Sequence, residues 1–470
     1  MENKVYKKND ILNVLVTDLD NDGNGIGKVD GYTLFIKDTY PGDECLVKIM
    51  KAKKSYAFAH LEQVVTPSKL RVDAPCPKAK ACGGCQIQGM SYEGQLSFKE
   101  NKVKNNLVRI GGFDADFIDS IWEPIIGSQV PFRYRNKAQY PIGYDVKQGK
   151  VIAGFYAGHS HNIIPVEDCL LGPEENKDIL KAVFRWMKEC RISHYDAANK
   201  LSGLRHVLIR KGFTTGQIMV CLVVSSQKIM SKEKGEKLAI LLSGIEGMTS
   251  ISYSVNTEDT NVIMGDNYTC IWGEPTIEDY IGELRFKISP LSFFQVNPAQ
   301  TVKLYGKALE YAALTGGETV WDLYCGIGTI SQFMAGKAKV VYGVEIIPQA
   351  IDDAIENAKL NGLDNTVFLV GKAEEVLPRE IKADEEKAHP DVIVVDPPRK
   401  GCDVECLNTM LSMSPDRIVY VSCDSATLAR DLRILVDGGY ELVKATACDM
   451  FSQSVHCESV CLLSKVNTRD

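Results

Sequence analysis

Along residues 4–64, short apolar stretches alternate with polar positions and break at turn residues. ILNVLVTDL runs into the turn DNDGNGIGKV, then come YTLFI, PGD, ECLVKIMKAK and SYAFAHLEQVV. A period of two with Gly, Asp and Pro this dense predicts a small antiparallel β-barrel. Tyr92–Gly111 breaks that rhythm and reads as a lysine-rich helix stopped by Gly-Gly. From Pro131 to about Lys287 the pattern is strand-rich and mixed, with strands expected at Tyr140–Tyr144, Val151–Tyr156, Val207–Lys211 and Ile218–Val224. Val183–Cys190 carries helical spacing in the same stretch. After about Thr319 strands and helices alternate. Strands are expected at Thr319–Tyr324, Lys339–Glu345, Val367–Val370, Val392–Val395 and Ile418–Val421, and Tyr440–Cys448 with Ser459–Leu463 closes the chain as a hairpin. That alternation predicts a doubly wound α/β sheet.

Length and composition bound the picture. A chain of 470 residues predicts two or three domains, and 45% hydrophobic with 24% charged residues predicts a soluble globular protein. The opening MENKVYKKND lacks an apolar segment of signal-peptide length, and no apolar run is long enough to span a bilayer. With 15 cysteines besides, the expected setting is a reducing cytoplasm, where thiols are buried, metal-bound or catalytic. A net charge of −7 argues against a wholly basic nucleic-acid coat. Local basic faces at Lys48–Lys54 and Arg133–Lys137 leave RNA binding open.

The candidate chemistry lies in the second half. In WDLYCGIGT, Asp322 ends a strand and Gly326 and Gly328 open a helix, so the backbone can approach a ligand at the carboxyl edge of the sheet. Ser331 stands where the third glycine of a GxGxxG loop belongs, which disfavours NAD. Glu345 ends the next strand, placed to take both hydroxyls of a ribose. Asp396-Pro397-Pro398 stiffens a loop at the end of the fourth strand. Cys423 lies between a strand and the helix expected at Thr427–Val436, with Asp424 or Ser425 as its cap. A helix N-terminus lowers the pKa of a nearby thiol. Glu458 opens the last strand, and His456 two positions earlier is an alternative base. A thiol, a carboxylate and a methyl-donor pocket suit methylation at C5 of a pyrimidine, where a thiolate adds to C6 and a base removes the C5 proton. Cys325, beside the glycine loop, is the competing nucleophile. In the N-terminal part, Cys76, Cys82 and Cys85 form a tight set with room for a metal. With a fourth ligand from elsewhere, four thiolates hold zinc or an iron–sulfur cluster, and spacing alone does not decide.

GxGIG, PGD and the basic strand after it resemble a TRAM domain, an OB-like barrel found on RNA-modifying enzymes. FFQVN, DLYCGIGT, DPPRKG, VSCDSATLARDL and HCES resemble the RNA uracil-C5 methyltransferases, and the whole chain resembles the TRAM-bearing branch that modifies 23S rRNA. The resemblance implies Cys423 as nucleophile and Glu458 as base, with Gln295, Tyr324, Glu345 and Asp396 lining an S-adenosylmethionine site. It also implies a [4Fe–4S] cluster on Cys76, Cys82, Cys85 and Cys169. Ser452 replaces the family's usual Pro after DMF. The expected domains are a TRAM barrel at 4–64, a mixed α+β central domain with the cysteine site at 65–90 and 121–288, and a Rossmann-like seven-stranded methyltransferase domain at 91–120 and 289–470. A monomer acting on 23S rRNA is the expectation. The alternatives are a tRNA T-loop uridine and a non-catalytic RNA-binding assembly factor.

Overall fold

A computed structural model describes residues 6–158, 160–384 and 388–466, so the expected domain ends at residues 4–5 and 467–470 lie outside the described residues. The chain divides into two compact units: Met1–Lys102 with Phe155–Ile164 and Phe451–His456, and Val103–Gly154 with Pro165–Met450 and Cys457–Asp470.

In the first unit, β1 (Ile11–Leu19), β2 (Gly25–Val29), β3 (Tyr32–Ile36), β4 (Glu44–Ala52) and β5 (Tyr56–Thr66) close a barrel in the order β1-β2-β3-β5-β4. Alternation places Val14, Val16, Leu34, Ile36, Val47, Ile49 and Ala57 inside. The expected all-antiparallel barrel is corrected at one seam: β3 and β5 run parallel. After β3 the chain crosses to pair β4 with β1, and β5 then returns antiparallel to β4, in the direction of β3. The crossing is fixed at the PGD turn. Fully buried Asp43 accepts from the Tyr40 and Ser68 N–H groups at 2.7 and 2.8 Å and pairs with Arg71 at 2.6 Å. Burial alone would raise the Asp43 carboxyl; Arg71 and the two N–H donors hold it below the usual range.

A mixed central sheet belongs to the second unit apart from its residues within Phe155–Ile164. Its strands are β6 (Lys137–Asp145), β7 (Lys150–Tyr156), β8 (Ile163–Pro165), β9 (Leu204–Lys211), β10 (Ile218–Val224), β11 (Met248–Val255) and β12 (Tyr268–Gly273), in the order β12-β11-β10-β9-β6-β7-β8. The hairpin β13 (Ile277–Ile281) and β14 (Leu284–Ile288) leads on to a second seven-stranded sheet. That sheet comprises β15 (Thr319–Leu323), β16 (Val340–Glu345), β17 (Thr366–Val370), β18 (Val392–Val395), β19 (Arg417–Ser422), β20 (Tyr440–Cys448) and β21 (Glu458–Lys465). The order is β17-β16-β15-β18-β19-β21-β20, with β21 antiparallel to both neighbours. Continuous apolar runs such as VIVV in β18 suit strands covered on both faces. Pro298–Ala312, Thr329–Ala335, Pro348–Leu360 and Ser425–Asp437 are among the helices that follow. The order reverses between β15 and β18, and ligands in open α/β sheets bind beyond the carboxyl ends at such a point.

Candidate active site

The ends of β15 and β16 build the candidate donor side of this crevice. Tyr324 follows β15 with φ 68°, a left-handed conformation unusual outside glycine, and turns the chain into the loop. Gly326 and Gly328 continue the turn at φ 54° and 76°. A Cβ on Gly328 would lie 2.8 Å from the Phe368 ring. Glu345, at the end of β16, accepts from the Gly326 N–H at 3.3 Å through one oxygen and from the Ile347 N–H at 3.1 Å through the other. Ile346 and Ile347 beside it are 62% and 55% exposed, an apolar wall without a cover.

Asp322 and Ser331 were read from the sequence only as a strand end and a missing glycine. In the fold Ser331 donates to Asp322 at 2.5 Å, while the other Asp322 oxygen is buried and unpartnered. Burial, with Asp396 and Glu345 adding to it, pushes the Asp322 carboxyl up to about 7. Ser289–Asn297 is a loop rather than the amphipathic segment its propensity suggests. Ser289 and Ser292 bond each other's backbone and side chains, and Asn297 caps the helix that begins at Pro298. This fold-back buries Gln295 and leaves Phe293 66% exposed.

The candidate nucleophile follows β19 and the candidate base opens β21. Ser422 faces Ser459 in that antiparallel register, so Cys423 and Glu458, one residue further out on each strand, end at one edge. Glu458 is 3% exposed, with one carboxylate oxygen buried and unpartnered. Burial, reinforced by Asp396 and opposed by Arg399, raises its carboxyl well above the ordinary value. Asp396 is itself pushed up to about 6 by burial. Asp424 rather than Ser425 caps the following helix, accepting from the Ala426 and Thr427 N–H groups at 2.9 and 3.2 Å. The expected lowering of the Cys423 pKa is corrected. Burial first, then Glu458 and Asp396, push the thiol up to about 12 against Arg399. Half-buried Cys423 still differs from Cys325, which is buried with its thiol turned to the Gly326 carbonyl. His456 falls in the other unit.

Residues 276–466 match the family described as tRNA (Uracil-5-)-methyltransferase, and residues 7–61 match the TRAM domain. RNA methyltransferases of Clostridium tetani and Halalkalibacterium halodurans are 46% and 48% identical to the chain over 97% and 98% of both lengths. The chain belongs to the RNA uracil-5-methyltransferase family. Among solved structures, Pyrococcus abyssi tRNA (uracil-54, C5)-methyltransferase in complex with S-adenosyl-L-homocysteine is similar at a TM-score of 0.76 and 27% identity, over 96% of this chain and 99% of that one. The methyltransferase thus has the expected seven-stranded sheet and the expected N-terminal barrel. Among its described residues, no helix is long and apolar enough to cross a membrane.

The residues of this crevice suit S-adenosylmethionine in their chemistry. Left-handed glycines leave the loop bare, an acid ends the second strand, and an orphaned Asp322 oxygen lies beneath. Gly328→Ala is expected to weaken donor binding at least about tenfold and to cost about 1–3 kcal/mol of stability. Calorimetric titration and thermal unfolding read the two effects separately.

The cysteine set stands differently. Cys76, Cys82 and Cys85 belong to the first unit and Cys169 to the second. The Gly84 N–H donates to the Cys82 sulfur at 3.4 Å. Among the described residues, no three His, Cys, Asp or Glu side chains are gathered to hold a metal ion. The implied [4Fe–4S] cluster therefore has no support from this arrangement, and no chemical step is routed through it.

Proposed function

We propose that the protein methylates C5 of a uridine in 23S rRNA through a covalent adduct to Cys423, as a cytoplasmic monomer. The observation that carries the chemistry is the β19–β21 register, which brings Cys423 and Glu458 from positions 35 residues apart to one sheet edge. Gln295, Tyr324, Gly326, Gly328, Glu345 and Asp396 would hold the donor. S-adenosylmethionine supplies an electrophilic methyl group. The target uridine is flipped from its stack into the crevice. The Cys423 thiol loses its proton to solvent and the thiolate bonds to C6; the electron pair pushed onto C5 takes the methyl group as the donor's sulfur–methyl bond breaks and leaves its electron pair on that sulfur. Glu458 then removes the C5 proton, the C6–sulfur bond breaks, and the thiolate leaves with that pair. A carboxylate with a raised pKa is the stronger base for this step.

A tRNA uridine is the second reading. The Pyrococcus tRNA enzyme matches this chain over 96% of its length, so the TRAM barrel does not by itself select rRNA. Incubating the protein and S-adenosylmethionine with 23S rRNA and tRNA transcripts, then mapping 5-methyluridine by mass spectrometry, separates the two. Product in 23S rRNA alone is expected. Product in tRNA alone would keep the chemistry and change the substrate, and product in neither would favour the assembly-factor reading.

A further inference from the structure

Three cations of the second unit lie together, and among the described residues the Nε groups of two of them, Arg135 and Arg210, have no acceptor. Lys137 on β6 is the directly opposed partner of Arg210 on β9, so their side chains share one face of the central sheet. Arg135, two residues before Lys137, precedes the strand on the same run. Arg210 is only 2% exposed; one of its terminal nitrogens donates to the Ser292 carbonyl, and its Nε is buried with no acceptor. The Arg135 Nε is likewise buried and unpartnered. Burial first, then Arg210 and Arg135, pushes the Lys137 ammonium down to about 7.

Two other guanidinium groups are matched by carboxylates, whereas buried Arg205 donates only to the Asn256 and Glu258 carbonyls. Arg133, in the same run, forks onto Asp168 at 2.6 and 2.7 Å, and Arg71 pairs with Asp43. The carboxylate that reaches Ser292, Asp353, accepts from its hydroxyl at 3.1 Å and from Gln349. Buried cations left unmatched are costly unless an anion joins them. Their position says which anion. Asn136, between Arg135 and Lys137, donates to the carbonyls of Gln295 and Val296, both at 2.9 Å. The three cations therefore adjoin the loop that carries Gln295 and the exposed Phe293.

We propose that Arg135, Lys137 and Arg210 form a pocket for a backbone phosphate of the RNA beside the flipped uridine. Phosphate contacts fix the register of a nucleic acid without reading its sequence, which a flipped nucleotide requires of the groups flanking it. The proposal rests on RNA being the substrate.

The test measures binding of labelled 23S rRNA and tRNA transcripts to the full chain over a range of KCl concentrations, without donor. Lys137→Gln and Arg135→Gln are each expected to weaken RNA binding by about tenfold and to flatten the salt slope by roughly 0.7–0.9. Lys137→Arg is expected to keep the slope, and S-adenosylmethionine affinity, measured by equilibrium dialysis, stays unchanged in all three. Slopes equal to wild type in both glutamine variants would overturn the pocket. Loss of donor affinity with an unchanged slope would overturn it in favour of the donor's carboxylate. If wild type itself bound no RNA, the substrate class would fall, and the pocket with it.

Discussion

Cys423→Ala is expected to abolish methyl transfer, with a fall of roughly 10⁴-fold or more, as for other nucleophiles that form a covalent intermediate. Donor affinity should stay near wild type, because the donor-side residues belong to β15, β16, β18 and the Ser289–Asn297 loop. The clean readout uses RNA carrying 5-fluorouridine. Fluorine at C5 cannot leave as a proton, so the wild-type protein should be trapped on RNA as a band that survives denaturation. That band should be missing in Cys423→Ala. If the alanine variant still forms it, Cys325 is the next thiol to test, although its sulfur is buried. The pH dependence follows from the site. The thiol is pushed up to about 12 by burial and two carboxyl groups, so it holds its proton at neutral pH in the ligand-free protein. The rate of adduct formation should therefore climb as pH rises from about 6 to 9. A flat profile would mean that bound RNA and the donor's positive charge have already moved the proton.

Glu458→Gln should uncouple the two halves of the reaction. The thiol can still add and C5 can still be methylated, but no carboxylate remains to take the proton. On ordinary RNA the covalent adduct should then accumulate, and product release should slow by about 10²–10⁴-fold, the usual contribution of a positioned base. Single-turnover kinetics with a denaturing gel distinguishes this from lost binding. Normal turnover would pass the role to water or His456. A second signature is independent of catalysis. Glu458 has a raised pKa in the folded state, so the fold holds a proton that the unfolded chain releases above its ordinary carboxyl pKa. That contribution is complete below the unfolded pKa and is lost as pH rises toward the folded one. Glu458→Gln should therefore melt higher than wild type at pH 8, with the difference vanishing toward pH 4. A glutamate merely exposed at the strand end would show no such difference.

The sequence by itself determined most of the elements and marked the candidate chemistry. Period-two alternation marked the barrel strands, and apolar runs such as VIVV marked the catalytic ones because those are covered on both faces. Ile218–Val224, Val392–Val395 and Tyr440–Cys448 match the expected limits. The glycine loop was legible because left-handed backbone leaves a residue signature, and the cap at Asp424 because short acceptors favour that position. Cys423 was singled out by its place after a strand, and Glu458 by its place at the start of one.

What only the tertiary structure decided depends on surroundings that no local pattern encodes. The parallel β3–β5 seam follows from which strand the chain returns to, and that is a long-range choice. The loop at Ser289–Asn297 carries apolar residues at helical spacing, yet its serines bond the backbone locally and end that option. Ser331 gains its role only when packed against Asp322. The direction of the Cys423 shift reversed because a helix terminus is visible in sequence, whereas burial of the thiol, and then the carboxyl groups of Glu458 and Asp396 from 35 and 27 residues away, come only with folding. Arg133, Arg135 and Lys137 look alike along the chain. Folding gives Arg133 a carboxylate and places Lys137 opposite Arg210, with the Nε groups of Arg135 and Arg210 unpartnered among the described residues, because electrostatic energy depends on distance in space and on exclusion of water.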